Sequence, residues 1–192
     1  MKTAAGHEVE IKFRIEDIHA LAGNLHAAAF RLVTGRTHEM NTLYDLPGEP
    51  LRSRGALLRV RQYGPKWTIT YKDKSEAQTR HKSRPEIETR IEDGQVLAEI
   101  LKAVGFKASF SYEKFRSEWT DGAGYVVVDE TPIGNFGEIE GPPEWIDATA
   151  RQLAIAESQY IKESYAELFA DWKRRTRSTA MDMTFQETGA AK

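Results

Sequence analysis

The sequence predicts an α+β fold, a closed antiparallel eight-stranded β-barrel that forms a tunnel, with helices packed on the outside. Segments with strand character dominate the chain, and most of them follow one another through short turns. Strand after strand also carries charged side chains of both signs on one face and apolar side chains on the other. A charged face that recurs from one end of the chain to the other indicates a common interior.

The first part of the chain predicts a strand, a helix and a second strand. Residues 8–15 alternate polar and apolar side chains, as in a strand with one buried face. Residues 16–32 place leucine, isoleucine and alanine three and four positions apart, which predicts a helix. A strand is predicted at 37–44, and the sequence DLPG at 45–48 indicates a turn.

A hairpin, a polar loop and a further strand are predicted next. Residues 56–63 and 66–72 have strand character and flank a Gly-Pro pair that is typical of a turn. The following loop, 73–83, is polar and basic, and residues 84–91 return to strand. The basic side chains of the loop that we expect to be solvated are Lys74, Arg80 and Lys82.

The next part of the chain predicts one helix and three strands. An aspartate at the start and a glycine after the end delimit a predicted helix at 93–104. Residues 110–120 and 125–131 predict a second hairpin around the turn sequence DGAG. A short strand at 136–140 ends the predicted barrel.

Two helices and a tail complete the prediction. A pair of prolines opens a helix at 142–154, and Ser164 is a typical N-cap for a helix that runs to residue 175. Residues 176–192 show no periodicity, so we expect a flexible tail. The domain prediction is therefore a single tunnel domain at 1–175 followed by this tail.

Composition narrows the function classes. The 27 basic and 29 acidic side chains give a net charge of −2, whereas dedicated nucleic-acid binders usually carry a basic excess, so we expect no nucleic-acid partner. The absence of cysteine excludes a disulfide framework, a thiolate zinc site and a cysteine nucleophile. No leader-like segment begins the chain and no apolar stretch approaches about 18 residues, so we expect a soluble, cytoplasmic protein without a membrane partner.

The charged strand faces are expected to point inward. On a half-exposed sheet such a face is simply the solvated one. Here, however, the helices need an apolar surface to cover, so the charged faces meet inside a closed barrel that has no exposed edges. The expected inward charges are Lys12, Arg59, Arg61, Lys72, Arg84, Lys114 and Arg116 with Glu8, Glu10, Glu86, Glu88, Asp129, Glu138 and Glu140. Because burying one ion costs several kcal/mol, this interior must be hydrated.

A metal-bound triphosphate suits such an interior. Arginine and lysine neutralise and hydrogen-bond phosphate oxygens, and carboxylates supply the hard oxygen ligands that Mg²⁺ and Mn²⁺ prefer. Phosphoryl transfer depends mainly on positioning and charge stabilisation, which this residue set can provide. The sequence contains no Walker A, HExxH or GxSxG motif.

The segment EVEIK at 8–12 resembles the ExExK motif of the CYTH superfamily, the triphosphate tunnel metalloenzymes. Further segments resemble the later motifs of this family, in its order: TLYD at 42–45, LRVR at 58–61, TYK at 70–72, RPEIE at 84–88, KFR at 114–116, VVVD at 126–129, GEIE at 137–140 and SYAEL at 164–168. The resemblance covers residues 8–169 and is greatest to the class IV adenylyl cyclase and thiamine triphosphatase branch. Leu46 departs from the pattern, because the family often has threonine there.

The resemblance implies a tunnel that binds a triphosphate together with Mg²⁺ or Mn²⁺. The metal ligands that it implies are Glu8, Glu10, Glu88, Asp129, Glu138 and Glu140. The phosphate-binding residues that it implies are Lys12, Arg59, Arg61, Lys72, Arg84, Lys114 and Arg116. Within these sets the predicted catalytic residues are Glu8, Glu10, Lys12 and Lys72. By analogy with the cyclases, a homodimer is also implied.

Three functions fit the sequence. The leading hypothesis is a class IV-type adenylyl cyclase, in which the ribose 3′-hydroxyl of ATP attacks the α-phosphorus and pyrophosphate leaves. In an inorganic tripolyphosphatase or thiamine triphosphatase, water attacks the terminal phosphorus within nearly the same cage. A non-catalytic nucleotide- or polyphosphate-binding module would keep the basic residues without a productive metal site.

Overall fold

A computed structural model describes residues 6–75 and 81–192, and its strands close into one antiparallel barrel. The strands are β1 (Gly6–Ile15), β2 (Arg31–Asp45), β3 (Leu57–Tyr63), β4 (Lys66–Lys72), β5 (Lys82–Ile91), β6 (Lys107–Thr120), β7 (Tyr125–Thr131) and β8 (Gly134–Glu140). Around the barrel they follow the order β1-β5-β4-β3-β2-β6-β7-β8, and β8 pairs with β1. This closed barrel confirms the fold class that the sequence predicts.

Helices connect and cover the strands. They are α1 (Ile18–Ala27), α2 (Pro50–Ser53), α3 (Gly94–Ala103), α4 (Pro143–Gln152), a 3-10 turn (Glu157–Gln159), α5 (Tyr165–Thr176) and α6 (Phe185–Thr188). Within residues 6–75 and 81–192, none of these helices has the length and apolar character needed to cross a membrane.

The largest apolar core lies outside the barrel wall. Ile11 and Phe13 of β1 point away from the tunnel and pack with Leu25 of α1 and Ile146 of α4, all of them buried. Burying each such side chain contributes about 1.5–3 kcal/mol. This packing uses the outward strand faces, so the charged faces are left for the interior. At Gly137, opposite Phe13, an added Cβ would lie 2.1 Å from the ring, so the ring needs glycine there.

Helix α5 packs against inward-facing aromatic side chains at one end of the barrel. Phe110 and Tyr112 of β6 belong to the inward face. The Phe110 ring stacks on Phe169 of α5 at 5.7 Å, and the Tyr112 ring contacts Tyr165 of α5 at 5.8 Å in a tilted arrangement. Phe136 of β8 meets the Tyr165 ring edge to face at 5.7 Å. The first turn of α5 is thereby fixed beside the tunnel interior.

The first predicted helix ends earlier in the structure than its apolar spacing suggests. Helix α1 stops at Ala27, and Ala29 adopts a left-handed conformation with φ of 63°. Phe30 then turns into the core, and Leu32, which continues the helical spacing, lies in β2 with 47% of its surface exposed. The spacing over 28–32 is therefore coincidental. The structure also contains α2, in a stretch for which the sequence analysis predicts no element.

The C-terminal segment, which we expected to be flexible, packs against β6. The backbone N–H of Met183 donates to the carbonyl of Ser111 at 3.0 Å, and the N–H of Glu113 donates to the carbonyl of Met183 at 3.1 Å. Met183 is fully buried and Phe185 is 5% exposed. The pairing of β6 with β7 begins only at Phe115, so the segment covers an edge of β6 that β7 leaves open.

Two methionines in this segment test whether it is docked. Met183→Ala is expected to lower the free energy of unfolding by about 2–5 kcal/mol, because it removes a fully buried side chain. Met181→Ala, at a position that is 75% exposed, is the matched control and should change it by less than about 0.5 kcal/mol. Urea unfolding would measure both. Equal, small effects of the two substitutions would show that the segment is not docked in solution.

Candidate active site

Strand β1 contributes the first charged row of the tunnel. Glu8, Glu10 and Lys12 alternate with the buried Ile11 and Phe13, so they share the inward face. On one side β1 pairs with β5, and on the other it pairs with β8. The register of these two pairings decides which charges meet inside the tunnel.

On the β5 side, the register places a cation beside each carboxylate. Glu8 lies opposite Arg84, and Glu10 lies opposite Lys82. The Nε of Arg84 is 3.7 Å from Oε2 of Glu8, and the Nζ of Lys82 is 3.6 Å from Oε1 of Glu10. Both distances give ion pairs but are too long for hydrogen bonds, so the two cations remain able to donate to a further anion.

On the β8 side, the register brings carboxylates together. Glu10 lies opposite Glu140, and each of these two and Glu8 offers one oxygen within 4.8 Å of the others. Like charges at this spacing repel one another, and a divalent cation would relieve the repulsion. Three hard oxygen donors also match the preference of Mg²⁺ and Mn²⁺. The donor set therefore fits the metal that the sequence predicts.

A cavity of about 160 Å³ occupies the tunnel between these rows. This volume holds several water molecules, which agrees with the expected hydrated interior. The predicted site residues that line it are Glu8, Glu10, Lys12, Arg59, Arg61, Lys72, Arg84, Glu88, Lys114, Arg116, Glu138 and Glu140. The structure thus brings together all of the predicted residues except Asp129.

Three arginines in the cavity wall have a buried Nε–H that lacks a hydrogen-bond partner among the described residues. They belong to Arg59, Arg61 and Arg84. An unpaired buried donor costs about 1–3 kcal/mol, so a native site that holds three of them is suited to an anion that accepts their hydrogen bonds. Phosphate oxygens are good acceptors for a guanidinium.

Lys72 links two carboxylates at the β4 and β5 side of the cavity. Its Nζ lies 2.5 Å from Oε2 of Glu8 and 2.9 Å from Oε2 of Glu86. Burial alone would raise the pKa of Glu8, but the charge and hydrogen bond of Lys72 and the charge of Arg84 outweigh burial. The pKa of Glu8 therefore lies well below its ordinary value of 4.5.

Glu88, a predicted metal ligand, lies in a different part of the wall from the carboxylate cluster. Its Oε2 accepts a hydrogen bond of 2.7 Å from the hydroxyl of Thr70 and is 3.7 Å from an Nη of Arg59. Burial would lower the pKa of Arg59, but the interaction with Tyr112 and the charge of Glu39 raise it above 12.5. Glu88 therefore fits a residue that orients Arg59 better than it fits a metal ligand.

Asp129, which is also a predicted metal ligand outside the carboxylate cluster, is fully buried and already accepts hydrogen bonds from several side chains. It accepts hydrogen bonds of 2.7 Å from Lys114 Nζ, Arg116 Nε and the Tyr165 hydroxyl. Burial would lower the pKa of Arg116, but the charges of Asp129, Glu138 and Glu39 raise it well above 12.5. Asp129 consequently holds Lys114 and Arg116 in place, and it is not among the residues that line the cavity.

Glu39 is a tunnel residue that the sequence analysis does not identify. It is fully buried in β2, and it accepts a hydrogen bond of 2.6 Å from Arg61, while Lys114 and Arg116 lie 3.5 Å and 3.8 Å away. Burial would raise its pKa, but the charges of Lys114, Arg61 and Arg116 hold that pKa well below 4.5. The available signal is that Glu39 and Asn41 share one strand face and alternate with Met40, but a single acid on that face carries little weight.

Lys12 is held by the segment that leads into α5, which the sequence analysis also does not connect to the site. Its Nζ donates to the carbonyl of Glu163 at 3.2 Å, lies 3.4 Å from Glu138 and sits 4.4 Å from the centre of the Tyr165 ring. Burial would lower the pKa of Lys12, but the charges of Glu138, Glu10 and Asp129 raise it. Tyr165 contributes to the site from outside the barrel strands.

The sequence analysis expects Lys82 to be a solvated loop residue, and the structure shows that this is wrong. It is the first residue of β5, its side chain is 15% exposed, and it lines the cavity. Burial, together with the like charges of Lys12 and Arg84, lowers its pKa below 10.5. The strand begins two residues earlier than the predicted start at residue 84. Of the other two basic loop residues, Lys74 is exposed and Arg80 lies outside the described residues.

Comparison with known proteins agrees with this architecture. A family model described as the CYTH domain matches residues 6–167. A Methanocaldococcus jannaschii protein provisionally named adenylate cyclase is 26% identical over 172 residues, which cover 84% of this chain and 97% of that protein.

Solved structures share the fold. A Vibrio parahaemolyticus protein, also provisionally named adenylate cyclase, has a TM-score of 0.74 at 20% identity, over 85% of this chain and 97% of that chain. A Hippeastrum protein, provisionally named adenylyl cyclase and described as having a dominant triphosphatase activity, has a TM-score of 0.65 at 19% identity, over 85% and 95%. At these identities the similarity shows the fold alone.

The lowered carboxylate pKa values predict a loss of stability in acid. The folded-state pKa values of Glu8, Glu39 and Glu138 lie below the ordinary 4.5, so the unfolded chain binds more protons at low pH. The free energy of unfolding should therefore be constant above pH 4.5 with respect to these groups and fall as the pH drops below it. Urea unfolding between about pH 6 and pH 3 would measure this.

Glu39→Gln is the matched variant for that experiment. It should be less stable than the parent near neutral pH, because three cations lose a charged partner, but its stability should fall less steeply in acid. Parallel curves for parent and variant would contradict the lowered pKa of Glu39.

Mn²⁺ binding should distinguish Glu10, which belongs to the carboxylate cluster, from Asp129, which lies outside it. Loss of a residue that hydrogen-bonds a metal ligand typically weakens metal binding about tenfold or more. Because Glu10→Gln would remove a ligand itself, we expect it to weaken Mn²⁺ binding at least about tenfold. Asp129→Asn should weaken it less than about threefold, because both Asp129 oxygens already accept hydrogen bonds from neighbouring side chains. Calorimetric titration with Mn²⁺ would decide, and a similar loss in both variants would make Asp129 a ligand.

Proposed function

This chain belongs to the CYTH domain family, and from that membership we propose that it is a divalent-metal-dependent enzyme that processes a triphosphate inside its tunnel. The observation that carries the proposal is the combination found in one cavity wall. Three clustered carboxylates line the same cavity as three arginines, each of which has a buried Nε–H without a hydrogen-bond partner in the described part of the chain. A metal-bound polyanion satisfies both halves of this wall, whereas a free metal or a free anion satisfies only one.

The basic residues would bind and align the phosphate chain. Arg59, Arg61 and Arg84 offer unpaired donors, and Lys12 and Lys114 supply further positive charge. Each of these cations is already oriented by a carboxylate or an aromatic ring, so binding the substrate orders few side chains. In phosphoryl transfer this alignment and charge stabilisation account for most of the catalysis.

Glu8, Glu10 and Glu140 would hold Mg²⁺ or Mn²⁺, which supplies positive charge toward the phosphate oxygens. Glu138 stands beside this group, but its oxygens contact Lys12 and Arg116. Its part would be to keep these two cations in position. A module that only binds polyphosphate would gain nothing from three carboxylates at such short spacing, so we rank that function last.

Adenylyl cyclase activity is our first choice of reaction. The relative from Methanocaldococcus jannaschii, which matches over almost its whole length, carries that provisional name. In this reaction the 3′-hydroxyl oxygen of ATP bonds to the α-phosphorus, the bond to the bridging oxygen breaks, and cyclic AMP and pyrophosphate result. The hydroxyl proton passes to a base or to the departing pyrophosphate.

A triphosphatase is the second candidate. The same cage can hold the phosphate chain while water attacks its terminal phosphorus, and the Hippeastrum protein with the same fold is described as having a dominant triphosphatase activity. The two reactions differ in the nucleophile and in the phosphorus that it attacks, and they share the binding residues.

Product analysis tests the proposal. We expect cyclic AMP and pyrophosphate when the protein is incubated with ATP and Mg²⁺ or Mn²⁺. Orthophosphate from tripolyphosphate or thiamine triphosphate, without cyclic AMP, would favour the triphosphatase. Chromatography separates all of these products. Binding of ATP or tripolyphosphate without any product would support the binding module instead.

The carboxylate cluster should be necessary for turnover. Glu10→Gln is expected to lower kcat/KM about 100-fold or more, equivalent to about 2.7 kcal/mol of transition-state stabilisation. Glu130→Gln is the matched control, because Glu130 is an acid of β7 whose partner is the partly exposed Arg36 outside the tunnel. Equal activity of the two variants would remove the metal-binding role from Glu10.

A further inference from the structure

Lys82 occupies a distinctive position among the tunnel cations. It lies directly opposite Glu10 in the pairing of β1 with β5, while Glu140 lies opposite Glu10 on the other side. Its Nζ is 3.6 Å from Oε1 of Glu10, a distance that gives an ion pair but no hydrogen bond. A residue that would hold the metal therefore also neutralises Lys82.

The surroundings of Lys82 are crowded with like charge. Lys12 and Arg84 both repel its ammonium, and Glu10 and Glu138 are the acids of the tunnel that attract it. Glu167 of α5 is also near enough to interact with it, but the Glu167 carboxylate already accepts hydrogen bonds of 2.7 Å from the N–H and hydroxyl of Ser164. Glu10 is thus the principal counter-charge of Lys82.

A metal at the carboxylate cluster would change this balance. Oxygens of Glu10 that coordinate a divalent cation attract an ammonium far less, because the cation neutralises them. Lys82 would then stand beside Lys12 and Arg84 without its principal counter-charge, which is unfavourable at 15% exposure. A phosphate oxygen that arrives with the metal would restore the balance.

We infer that Lys82 is a phosphate-binding residue that pairs with Glu10 in the metal-free tunnel and transfers to the triphosphate when the metal takes Glu10. This inference rests on the proposed function and adds a residue and an order of events to it. Without a ligand, Glu10 and Lys82 would neutralise each other. Binding of the metal to Glu10 would free the Lys82 ammonium to contact the substrate. Metal and triphosphate would therefore bind cooperatively.

Calorimetry on Lys82→Met tests this with two titrants. Preformed Mn²⁺–tripolyphosphate should bind about tenfold more weakly than to the parent, because one charged hydrogen bond to phosphate is lost. Mn²⁺ alone should bind as tightly as before or more tightly, because Glu10 no longer has a competing cation. Lys66→Met, at an exposed lysine of β4, is the matched control and should change neither affinity.

Other results would overturn the inference. Unchanged binding of Mn²⁺–tripolyphosphate would make Lys82 a mere partner of Glu10. Equal weakening of both titrants would mean that Lys82 acts only by positioning Glu10. Lys82→Arg keeps the charge and should retain most of the affinity for the complex, so it serves as the test if Lys82→Met fails to fold. If the parent protein itself fails to bind Mn²⁺–tripolyphosphate, the proposed function fails, a result distinct from failure of the variant.

Discussion

Charge neutralisation inside a closed barrel is the constraint on which the rest of this structure depends. An ion removed from water costs several kcal/mol unless an opposite charge and good hydrogen bonds replace the water. The antiparallel register supplies those partners: Glu39 faces Lys114 across β2 and β6, and Arg116 faces Asp129 across β6 and β7. The barrel can therefore place many charges around one cavity, because most of them are paired before any ligand enters.

The tunnel carboxylates divide into two groups by what their oxygens contact. Asp129 and Glu39 are fully buried and directed at lysine and arginine, so their charge is committed to holding Lys114, Arg116 and Arg61 in place. Glu8, Glu10 and Glu140 crowd one another at the cavity surface, although Glu8 also pairs with Lys72. This division explains how a chain with nearly equal numbers of basic and acidic residues, and a net charge of −2, can form both a basic cage and an acidic cluster. The strand register decides which charges lie close together, and this arrangement, not the number of charges, separates the basic cage from the acidic cluster.

The barrel and most of the site were predictable because period-two alternation records which residues share a face. The same alternation assigned Glu8, Glu10 and Lys12 to one interior. It does not record how the strands align, and alignment decides that Glu140 joins Glu10 whereas Asp129 joins Arg116. The docking of Met183 depends on contacts with β6, far away in the chain, and leaves no local pattern, whereas the one local signal for Glu39 is a single acid on its strand face. Lys82 continues the alternation of Arg84 and Glu86, but it follows a polar, basic stretch and the sequence analysis therefore assigns it to the loop.

The site also depends on the packing of aromatic rings at one end of the barrel. The segment that leads into α5 pairs with β1, because the N–H of Ile161 donates to the carbonyl of Lys12 at 2.7 Å, and the Lys12 ammonium contacts Tyr165. Tyr165 is itself fixed by ring contacts with Tyr112 and Phe136. The position of the Lys12 ammonium thus follows from packing between aromatic rings as well as from ion pairs. Ring packing does not weaken when salt or a polyanion screens the charges, so this arrangement keeps Lys12 in place while its electrostatic partners change.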